Sequence, residues 1–378
     1  LQDNAALPPS VLVSELLDYA AESHGRPAQD LVVHHRRQAF SPDYFAPDHP
    51  QLFSYSHQFR AAADSLSTRQ AATPPPGRFI EGALREWDDT FQTVDLETLG
   101  RALSHPCRFL LEKRLHLMLR EDVVETIDRE PFRLDPLERY ELGQTLIETV
   151  LAGASAREAL DKARAAGQLP HGPAGAMRFE EIYAEAEEIA AVVRTLRSAA
   201  AAEPLEVQVR LPPYTINGRL TSVFPGGQVL YRYARARGPD LIAAWLRHLV
   251  WCRQGGEGGT RRTTLVTRDG QRRIKELDQT DAHLKQLLTL YERAGHRPLP
   301  LFPRSSWDYA VLRIEKGYSA ARALERVRAA WEPSFGWPGE SSDPYIQHCY
   351  RDQDPLDDVF AATAEALYGP ILQRTEKV

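Results

Sequence analysis

The feature that most constrains the fold is a change in hydrophobic period near residue 205. Before it, apolar residues recur mainly at helical spacing, whereas LEVQVRL at 205–211 alternates apolar and polar residues, as a half-buried strand does. Two further strand-like segments follow at 216–224 and 228–236, separated by a Pro-Gly-Gly turn at 225–227. The sequence therefore predicts three consecutive strands in the second half of the chain.

Helices and a hairpin are predicted around these strands. A long Ala- and Glu-rich helix at 179–200 precedes them, and an apolar helix at 240–252 follows. Residues 263–277 are typical of a hairpin that turns at Asp269-Gly270. The order helix, three strands, helix, strand predicts an α/β fold and matches the restriction-endonuclease-like core, an α/β/α sandwich around a small mixed sheet.

Further helices are predicted upstream. Residues 7–21 are apolar at helical spacing, with Ser10 as a plausible N-cap. Residues 94–120 have the same pattern, but Pro106 should divide them into two helices because proline lacks the backbone donor. An amphipathic helix is predicted at 135–151.

The chain is predicted to contain more than one folding unit, since 378 residues exceed one ordinary core. Residues 64–78 combine small polar residues with three consecutive prolines, which is typical of an extended linker. Residues 1–63 are interpreted as the end of a larger domain, and 79–378 as the second domain. Because no initiating Met is present, the chain is interpreted as a fragment.

Composition argues against several classes of protein. No apolar run approaches the length of a membrane span, and the N-terminus lacks a secretory signal, so a cytoplasmic location without membrane contact is expected. Three cysteines without a CxxC pair argue against disulfides and structural zinc. No GxxxxGK[ST] loop is present, so ATP binding is not expected. We expect no cofactor. The net charge of −6 decides nothing about nucleic acid, because it can hide a local basic face.

One run resembles the start of the nuclease domain in the RecB and RecC family of PD-(D/E)XK proteins. It is LGRALSHPCRF at 99–109. His105 occupies the place where iron–sulfur members have their first cluster cysteine, and Cys107 lies two positions later. Because no cysteine triplet follows near the C-terminus, no iron–sulfur cluster is expected.

The same resemblance places Glu148 at a former metal-holding position. Active members carry a helix of the form G-T-x-x-H-x-x-L, and the segment at 145–151 has Glu148 in place of the His. A glutamate can bind Mg²⁺, so this change alone would not abolish activity. The alternative is that Glu148 is an ordinary exposed helix carboxylate.

The resemblance also identifies the strand positions on which catalysis depends. Metal-dependent cleavage requires two carboxylates on neighbouring strands, and a lysine two residues after the second. Active members have G-x-x-D and D-x-K. The corresponding positions carry Thr221, Arg232 and Ala234, so a cation stands where a metal-binding anion is required. The resemblance therefore implies a nuclease-like domain without nuclease chemistry.

Longer runs resemble RecC, the gamma-subunit family of exodeoxyribonuclease V (RecBCD). They follow RecC order: LPPSVLVSELLDY, LVVHHRRQAFSPDYF, FSYSHQFRAA, EPFRLDPLERYELGQTLI and AWLRHLVWC. This implies a non-catalytic subunit of an ATP-dependent helicase–nuclease complex for double-strand break repair and homologous recombination. The implied partners are RecB-like and RecD-like subunits, double-stranded DNA ends and separated single strands. The implied role is a scaffold for the motor subunits and for strand separation and guidance.

A different class of function stays open at this point. An active metal-dependent DNase could use carboxylates that have migrated to other positions. The nearby candidates are Asp135, Glu138, Glu141 and Glu148. The missing Asp and Lys argue against it.

Two arginine clusters are candidate DNA-binding groups. One comprises Arg232, Arg235 and Arg237, and the other comprises Arg261, Arg262, Arg268, Arg272 and Arg273 on the hairpin. Such clusters could contact phosphates, or they could form a solvated face or internal salt bridges. Arg232 itself could pair with a phosphate or, internally, with Glu148. Tyr231 and Tyr233 could stack on bases, although strand aromatics more often belong to the core.

Overall fold

The computed structural model describes most of the chain in two compact units, Leu1–Gly77 and Arg78–Val378. The described residues are 9–47, 49, 51–71, 79–80, 82–85, 89–119, 134–197, 203–254, 261–277, 279–334, 338–351 and 353–378. The side chains of 67–71 and 89–90 lie outside this description.

The described part of the N-terminal unit contains two α-helices, α1 (Val11–His24) and α2 (His57–Ala71), and two short 3-10 helices between them. As predicted, α1 begins after Ser10, although the Ser10 side chain forms no capping hydrogen bond. Helix α1 contains no buried residue. Among the described residues of this unit, only Leu52 and Ala63 are buried. The unit therefore has almost no hydrophobic core of its own.

The segment predicted as an extended linker is partly helical. Helix α2 continues through Ala71, so residues 64–71 are helical rather than extended. These residues combine alanine with polar side chains that a solvated helix tolerates, and the prolines that would end the helix come later in the sequence. The remainder of the predicted linker, 72–78, lies outside the described residues.

The C-terminal unit begins with a short strand followed by a mainly helical segment. Asp95 accepts hydrogen bonds from the first turn of α3, and Pro106 starts α4, so the predicted break at this proline is confirmed. Asp135 and Glu138 form a capping box at the start of α5. The helices are α3 (Leu96–Ser104), α4 (Pro106–Phe109) with a π-helical turn at Leu110–Arg114, α5 (Pro136–Leu151), α6 (Ala156–Ala165) and α7 (Gly172–Leu196).

The described strands form two sheets. The first has the order β1-β3-β2, with β1 (Thr93–Asp95) parallel to β3 (Tyr214–Leu220) and β2 (Leu205–Leu211) antiparallel to β3. The second has the order β4-β5-β6-β7-β8, in which β5 and β6 are parallel and the other pairs antiparallel. Its strands are β4 (Val223–Phe224), β5 (Gly227–Tyr231), β6 (Thr263–Thr267), β7 (Gly270–Ile274) and β8 (Thr375–Lys377).

These sheets confirm the predicted α/β class but differ from the single small mixed sheet that was expected. Ser222, with φ 58°, lies between β3 and β4 and divides the predicted strand 216–224 between the two sheets. The predicted strand 228–236 ends at Tyr231. The hairpin prediction is confirmed, because β6 and β7 join at Asp269-Gly270.

The remaining helices complete the C-terminal unit. They are α8 (Gly238–Gln254), α9 (Thr280–His296), α10 (Ser305–Ala310) with a π-helical turn at Val311–Glu315, α11 (Ala320–Trp331), α12 (Pro344–Tyr350) and α13 (Asp358–Arg374). Helix α8 is buried against α3, α9 and α13, and α7 packs on α5 and on β5 and β6.

Helices cover both faces of the second sheet. Leu265 of β6 belongs to the apolar cluster that contains α8, whereas its neighbour Val266 belongs to the cluster formed with α5 and α7. This follows from the strand period, since successive side chains point to opposite faces. The segment that follows the last residue of β5 therefore lies between α5 and α7 on one face of the sheet and α8 on the other.

Candidate functional site

The positions that the resemblance assigns to the nuclease motif lie at different points along β5: Thr221 is beside Gln228, whereas Arg232 and Ala234 follow the last residue of the strand. The Thr221 carbonyl oxygen accepts a hydrogen bond from Gln228 Nε2 at 3.1 Å, and the neighbouring Ser222 carbonyl oxygen accepts one from the Val229 backbone N–H at 3.0 Å. The Arg232 N–H donates to the Val266 carbonyl oxygen at 2.9 Å. Ala234 follows, and its carbonyl oxygen accepts a hydrogen bond from the Arg268 N–H at 2.9 Å.

The Arg232 side chain is held by an internal carboxylate. Its Nη1 donates to Asp240 Oδ1, and its guanidinium lies 5.0 Å from the centre of the Tyr140 ring. The Asp240 side chain is 7% exposed and that of Arg232 39%. Burial acts to lower the pKa of Arg232, but the attraction of Asp240 outweighs it and the pKa rises. Of the two alternatives considered for Arg232, a phosphate or Glu148, an internal pair does form, but with Asp240 and not with Glu148.

Glu148 itself is exposed on α5 and forms no ion pair within the described part of the chain. The part of α5 that meets the end of β5 lies one turn earlier. There, Gln144 Oε1 accepts a hydrogen bond from the Tyr233 N–H at 3.0 Å. A Cβ atom on Gly143 would lie 2.1 Å from the Tyr233 ring, so only glycine allows this approach. The ordinary interpretation of Glu148 as an exposed helix carboxylate fits this geometry.

Tyr233 is buried at the centre of a polar cluster whose charged members are partly exposed. Its hydroxyl donates to Glu185 Oε2. The other Glu185 oxygen accepts from Arg268 Nη2 at 2.8 Å and from Arg139 Nη2 at 3.1 Å. Burial acts to raise the pKa of Glu185, but the hydrogen bonds from Tyr233 and Arg268 outweigh it, and the pKa falls. Tyr233 is therefore a core residue and Arg268 has a structural partner.

Most of the hairpin arginines also have internal contacts. Arg262 Nε donates to the Gly226 carbonyl oxygen at 2.9 Å, and Arg261 Nη1 donates to that of Cys252 at 3.3 Å. Arg272 lies 3.5 Å from Glu315 and stacks over Trp307 at 5.5 Å. Arg273 is half-buried on β7. These contacts leave the guanidinium groups of this cluster little freedom to follow a phosphate backbone.

Arg235 and Arg237 are different from the other candidates. Both side chains are exposed, and neither forms an ion pair within the described residues. The backbone between them is fixed, because the Ala236 N–H donates to Asp269 Oδ1 at 2.7 Å and the Arg237 N–H donates to Asp240 Oδ2 at 2.9 Å. A rigid loop therefore presents two uncompensated cations beside the β6–β7 turn.

Comparison with known proteins identifies the family. A family model described as the RecC C-terminal domain matches residues 91–313. The chain belongs to the RecC family. It is 29% identical over 379 residues to the RecBCD enzyme subunit RecC of Escherichia coli (strain K12), covering 94% of this chain and 32% of that protein. The corresponding subunit of Mycobacterium tuberculosis (strain H37Rv) is 25% identical over 362 residues, covering 93% and 32%.

The family resemblance predicted from the sequence is confirmed by these matches. The chain spans about a third of the length of these two relatives. The matched region contains the motif positions Thr221, Arg232 and Ala234. Within the described residues, no helix of this RecC-family chain is long and apolar enough to cross a membrane.

The carboxylates proposed for a migrated active site do not converge. Asp135 and Glu138 are used in the capping box of α5, where Asp135 Oδ1 accepts from the Glu138 N–H at 2.8 Å. Glu141 and Glu148 follow on the same helix, and Asp135 and Glu148 are separated by roughly 20 Å along its axis. No group of three or more His, Cys, Asp or Glu side chains that could hold a metal occurs in the described part of the chain.

The sequence analysis did not predict the two carboxylates that pair with the arginines of the site, Asp240 and Glu185. Asp240 lies in the first turn of α8, eight residues after Arg232, so its place in a Gly-Pro-Asp helix start could have indicated a role there. Glu185 is one of several glutamates on α7, and no local signal distinguishes it from its neighbours.

A buried polar chain connects the Thr221 backbone to α8. Gln228, Thr263 and His248 are all fully buried, and Thr263 Oγ1 lies 3.3 Å from Gln228 Oε1 and 3.1 Å from His248 Nδ1. His248 Nε2 donates to the Lys275 carbonyl oxygen at 2.8 Å. Burial lowers the pKa of His248 to about 4, so the imidazole is neutral at pH 7.

Proposed function

We propose that this RecC-family chain is a non-catalytic part of a helicase–nuclease complex that acts in double-strand break repair and homologous recombination. Its C-terminal unit would be an inactive nuclease-like domain with a restriction-endonuclease-like core. The observation that carries this proposal is the Arg232–Asp240 pair, because a guanidinium held by its own carboxylate stands where a metal-binding carboxylate is needed.

The chemistry of the three motif positions supports this proposal. A divalent ion bound against a phosphate needs anionic ligands, and Thr221 and Ala234 supply no charge. The Arg232 guanidinium would repel the ion at short range, and Asp240 is already occupied in neutralising it. Ala234 also lacks the amine that would orient or activate an attacking water. These residues therefore cannot hold the metal or activate the nucleophile.

The proposed role is that of a scaffold for RecB-like and RecD-like subunits which also guides DNA strands. The relatives' printed name, RecBCD enzyme subunit, supports the choice of partners. Arg235 and Arg237 are the candidates from the sequence that remain available for DNA, since the other arginines largely have internal contacts. Such exposed cations would position double-stranded ends or separated strands without reading their sequence.

We also propose a division of the chain into domains. Residues 79–378 would form the nuclease-like domain, and 1–63 the end of an inactive helicase-like domain. The scarcity of buried apolar residues in the N-terminal unit supports this, because such a unit needs further protein to cover it.

A nuclease assay tests the non-catalytic part of the proposal. The purified chain, incubated with linear duplex or single-stranded DNA and Mg²⁺ or Mn²⁺, should release no nucleotides. Cleavage that persists after rigorous removal of contaminating nucleases, and disappears in a Glu148→Ala variant, would show that a catalytic site exists.

Co-purification tests the proposed partners. The tagged chain, expressed in the cell from which it derives, should retain RecB-like and RecD-like subunits through a wash at moderate salt. A chain that folds but retains neither subunit would contradict the scaffold role.

A further inference from the structure

The loop before α11 and the first two turns of α11 carry exposed basic side chains around a half-buried tyrosine, Tyr318, and the nuclease motif does not include them. We define the Tyr318 patch as Lys316, Tyr318, Arg322 and Arg326. The Arg322 guanidinium lies 4.5 Å from the centre of the Tyr318 ring, which is a close cation–π stack. Lys316, Arg322 and Arg326 are exposed, and none of them forms an ion pair within the described residues.

The backbone that carries the Tyr318 patch is fixed by its neighbours. The Tyr318 N–H donates to the Leu312 carbonyl oxygen at 3.0 Å, and the Tyr318 carbonyl oxygen accepts from Arg313 Nη1 at 2.6 Å. Arg313 is itself held by Glu365 at 2.8 Å. Gly317, with φ +67°, provides the left-handed turn between Lys316 and Tyr318. The ring and its stacked guanidinium therefore have a preorganised position.

The positive charge of the Tyr318 patch is poorly compensated. Glu315, next to Lys316, is shared between Arg272 at 3.5 Å and Lys377 at 2.5 Å. Asp308 attracts Lys316 at longer range, but its nearest cation is Arg304 at 3.4 Å. Glu325 is the one carboxylate in the α11 sequence, and it forms no ion pair within the described residues. The three cations of the Tyr318 patch are therefore accompanied by one carboxylate on α11, Glu325, which has no ion pair within the described residues.

We infer that the Tyr318 patch binds single-stranded nucleic acid. An aromatic ring with a stacked guanidinium is a surface on which an unpaired base can stack, independently of sequence. Arg322 and Arg326 are one helical turn apart on the same face of α11, so both can contact the backbone of the same strand. A duplex would offer phosphates but no free base face, so the ring favours the single strand. The inference deepens the proposed function, on whose strand-guiding role it rests.

The test measures the affinity of the full chain for a labelled oligothymidylate across a salt series. The triple variant Lys316→Gln, Arg322→Gln, Arg326→Gln should lower the logarithmic salt slope by about two, since each phosphate contact on a single strand contributes about 0.7. The matched control removes three exposed cations without ion pairs elsewhere, Arg157→Gln, Lys285→Gln, Arg297→Gln, and should leave the slope unchanged. Equal losses in both triple variants, or an unchanged slope in the first, would overturn the inference.

The contribution of the Tyr318 ring to binding is tested with separate variants. Tyr318→Ala should weaken oligothymidylate binding about fivefold or more, whereas Tyr318→Phe, which keeps the stacking surface, should bind as the parent does. Unchanged binding by Tyr318→Ala, or a loss as large for a hairpin duplex as for the single strand, would show that base stacking is not involved. Because Tyr318 is half-buried, thermal unfolding is used to show that each variant is fully folded at the temperature of the binding measurement. Co-purification with the partner subunits is independent of this measurement, so the scaffold proposal can stand even if the Tyr318 patch binds no DNA.

Discussion

Arg232 and Arg235 are three residues apart, yet their guanidinium groups have opposite surroundings. Arg232 belongs with Arg139 and Arg268 to a partly buried, salt-bridged group, called here the internal group, in which Asp240 pairs with Arg232 and Glu185 pairs with the other two. Arg235 and Arg237 form the loop pair, which is exposed and has no ion pair within the described residues. Density of arginine in a sequence therefore does not distinguish a phosphate-binding surface from a salt-bridged interior, whereas the position of the carboxylates does.

The largest effect is expected from removing Tyr233, whose hydroxyl donates to the Glu185 carboxylate that Arg139 and Arg268 share. Tyr233→Ala deletes a ring that is 2% exposed and packs on Gly143 and under Arg268. Loss of a buried aromatic costs roughly 3 to 5 kcal/mol of unfolding free energy. Chemical denaturation should report this loss, while Arg235→Ala should change the same free energy by less than about 0.5 kcal/mol. Equal destabilisation by the two substitutions would remove the distinction between the groups.

The next largest effect concerns the carboxylate that serves several donors. Glu185→Gln would leave Arg268 without its counter-charge and Arg139 with Glu181 alone, and we expect a loss of roughly 1 to 3 kcal/mol in unfolding free energy. The matched control is Glu188→Gln on the same helix, where the side chain is exposed and unpaired among the described residues. If both substitutions destabilise the protein equally, Glu185 has no special role.

Lowering the pH should reduce the free energy of unfolding through the buried His248, and the loop pair should not contribute to this loss. The pKa of His248 is lowered from the ordinary value of 6.5 to about 4, so the unfolded chain binds this proton more readily than the folded one. The contribution of the neutral imidazole to the free energy of unfolding is fully present above pH 6.5 and is lost as the pH falls towards 4. Unfolding measured across this range should show a steeper decline for the parent than for His248→Gln. Identical slopes would contradict the burial of a neutral His248.

The smallest effect on stability, but a measurable effect on binding, is expected for the loop pair. Arg235→Gln, Arg237→Gln should leave unfolding unchanged within about 0.5 kcal/mol. It should lower the logarithmic salt slope of duplex DNA binding by about two, because each lost phosphate contact contributes about 0.9. Arg268→Gln is the comparison, since it removes an internal arginine; a larger fall of the salt slope in that variant would reverse the assignment of the two groups.

Local structure was largely predictable because it depends on nearby residues. Strand 205–211 is observed with the predicted bounds, and the predicted helix 135–151 is observed as Pro136–Leu151. The turn at Asp269-Gly270 was identified because these residues suit a tight hairpin. Helix α7 begins at Gly172, earlier than predicted, and a proline in its first turn suits the start of a helix.

Partners and sheet membership were not predictable because they depend on the tertiary arrangement. The left-handed conformation of Ser222 transfers the chain from one sheet to the other, and serine has no strong local preference for it. Asp240 reaches Arg232 only because α8 starts beside the end of β5. The resemblance proposes Thr221, Arg232 and Ala234 as altered motif positions, but it gives no indication of the residues that surround them.

A double-mutant cycle on Arg232 and Asp240 tests most directly the central claim, that these side chains form a structural ion pair. We propose that this pair occupies the position of a former metal ligand. Free energies of unfolding are measured for the parent, Arg232→Ala, Asp240→Ala and the double variant. We predict a coupling energy of roughly 1 to 3 kcal/mol, as expected for two side chains in direct contact with one of them buried. Additivity within about 0.5 kcal/mol would contradict the claim, because Arg232 would then be a replacement without a structural partner.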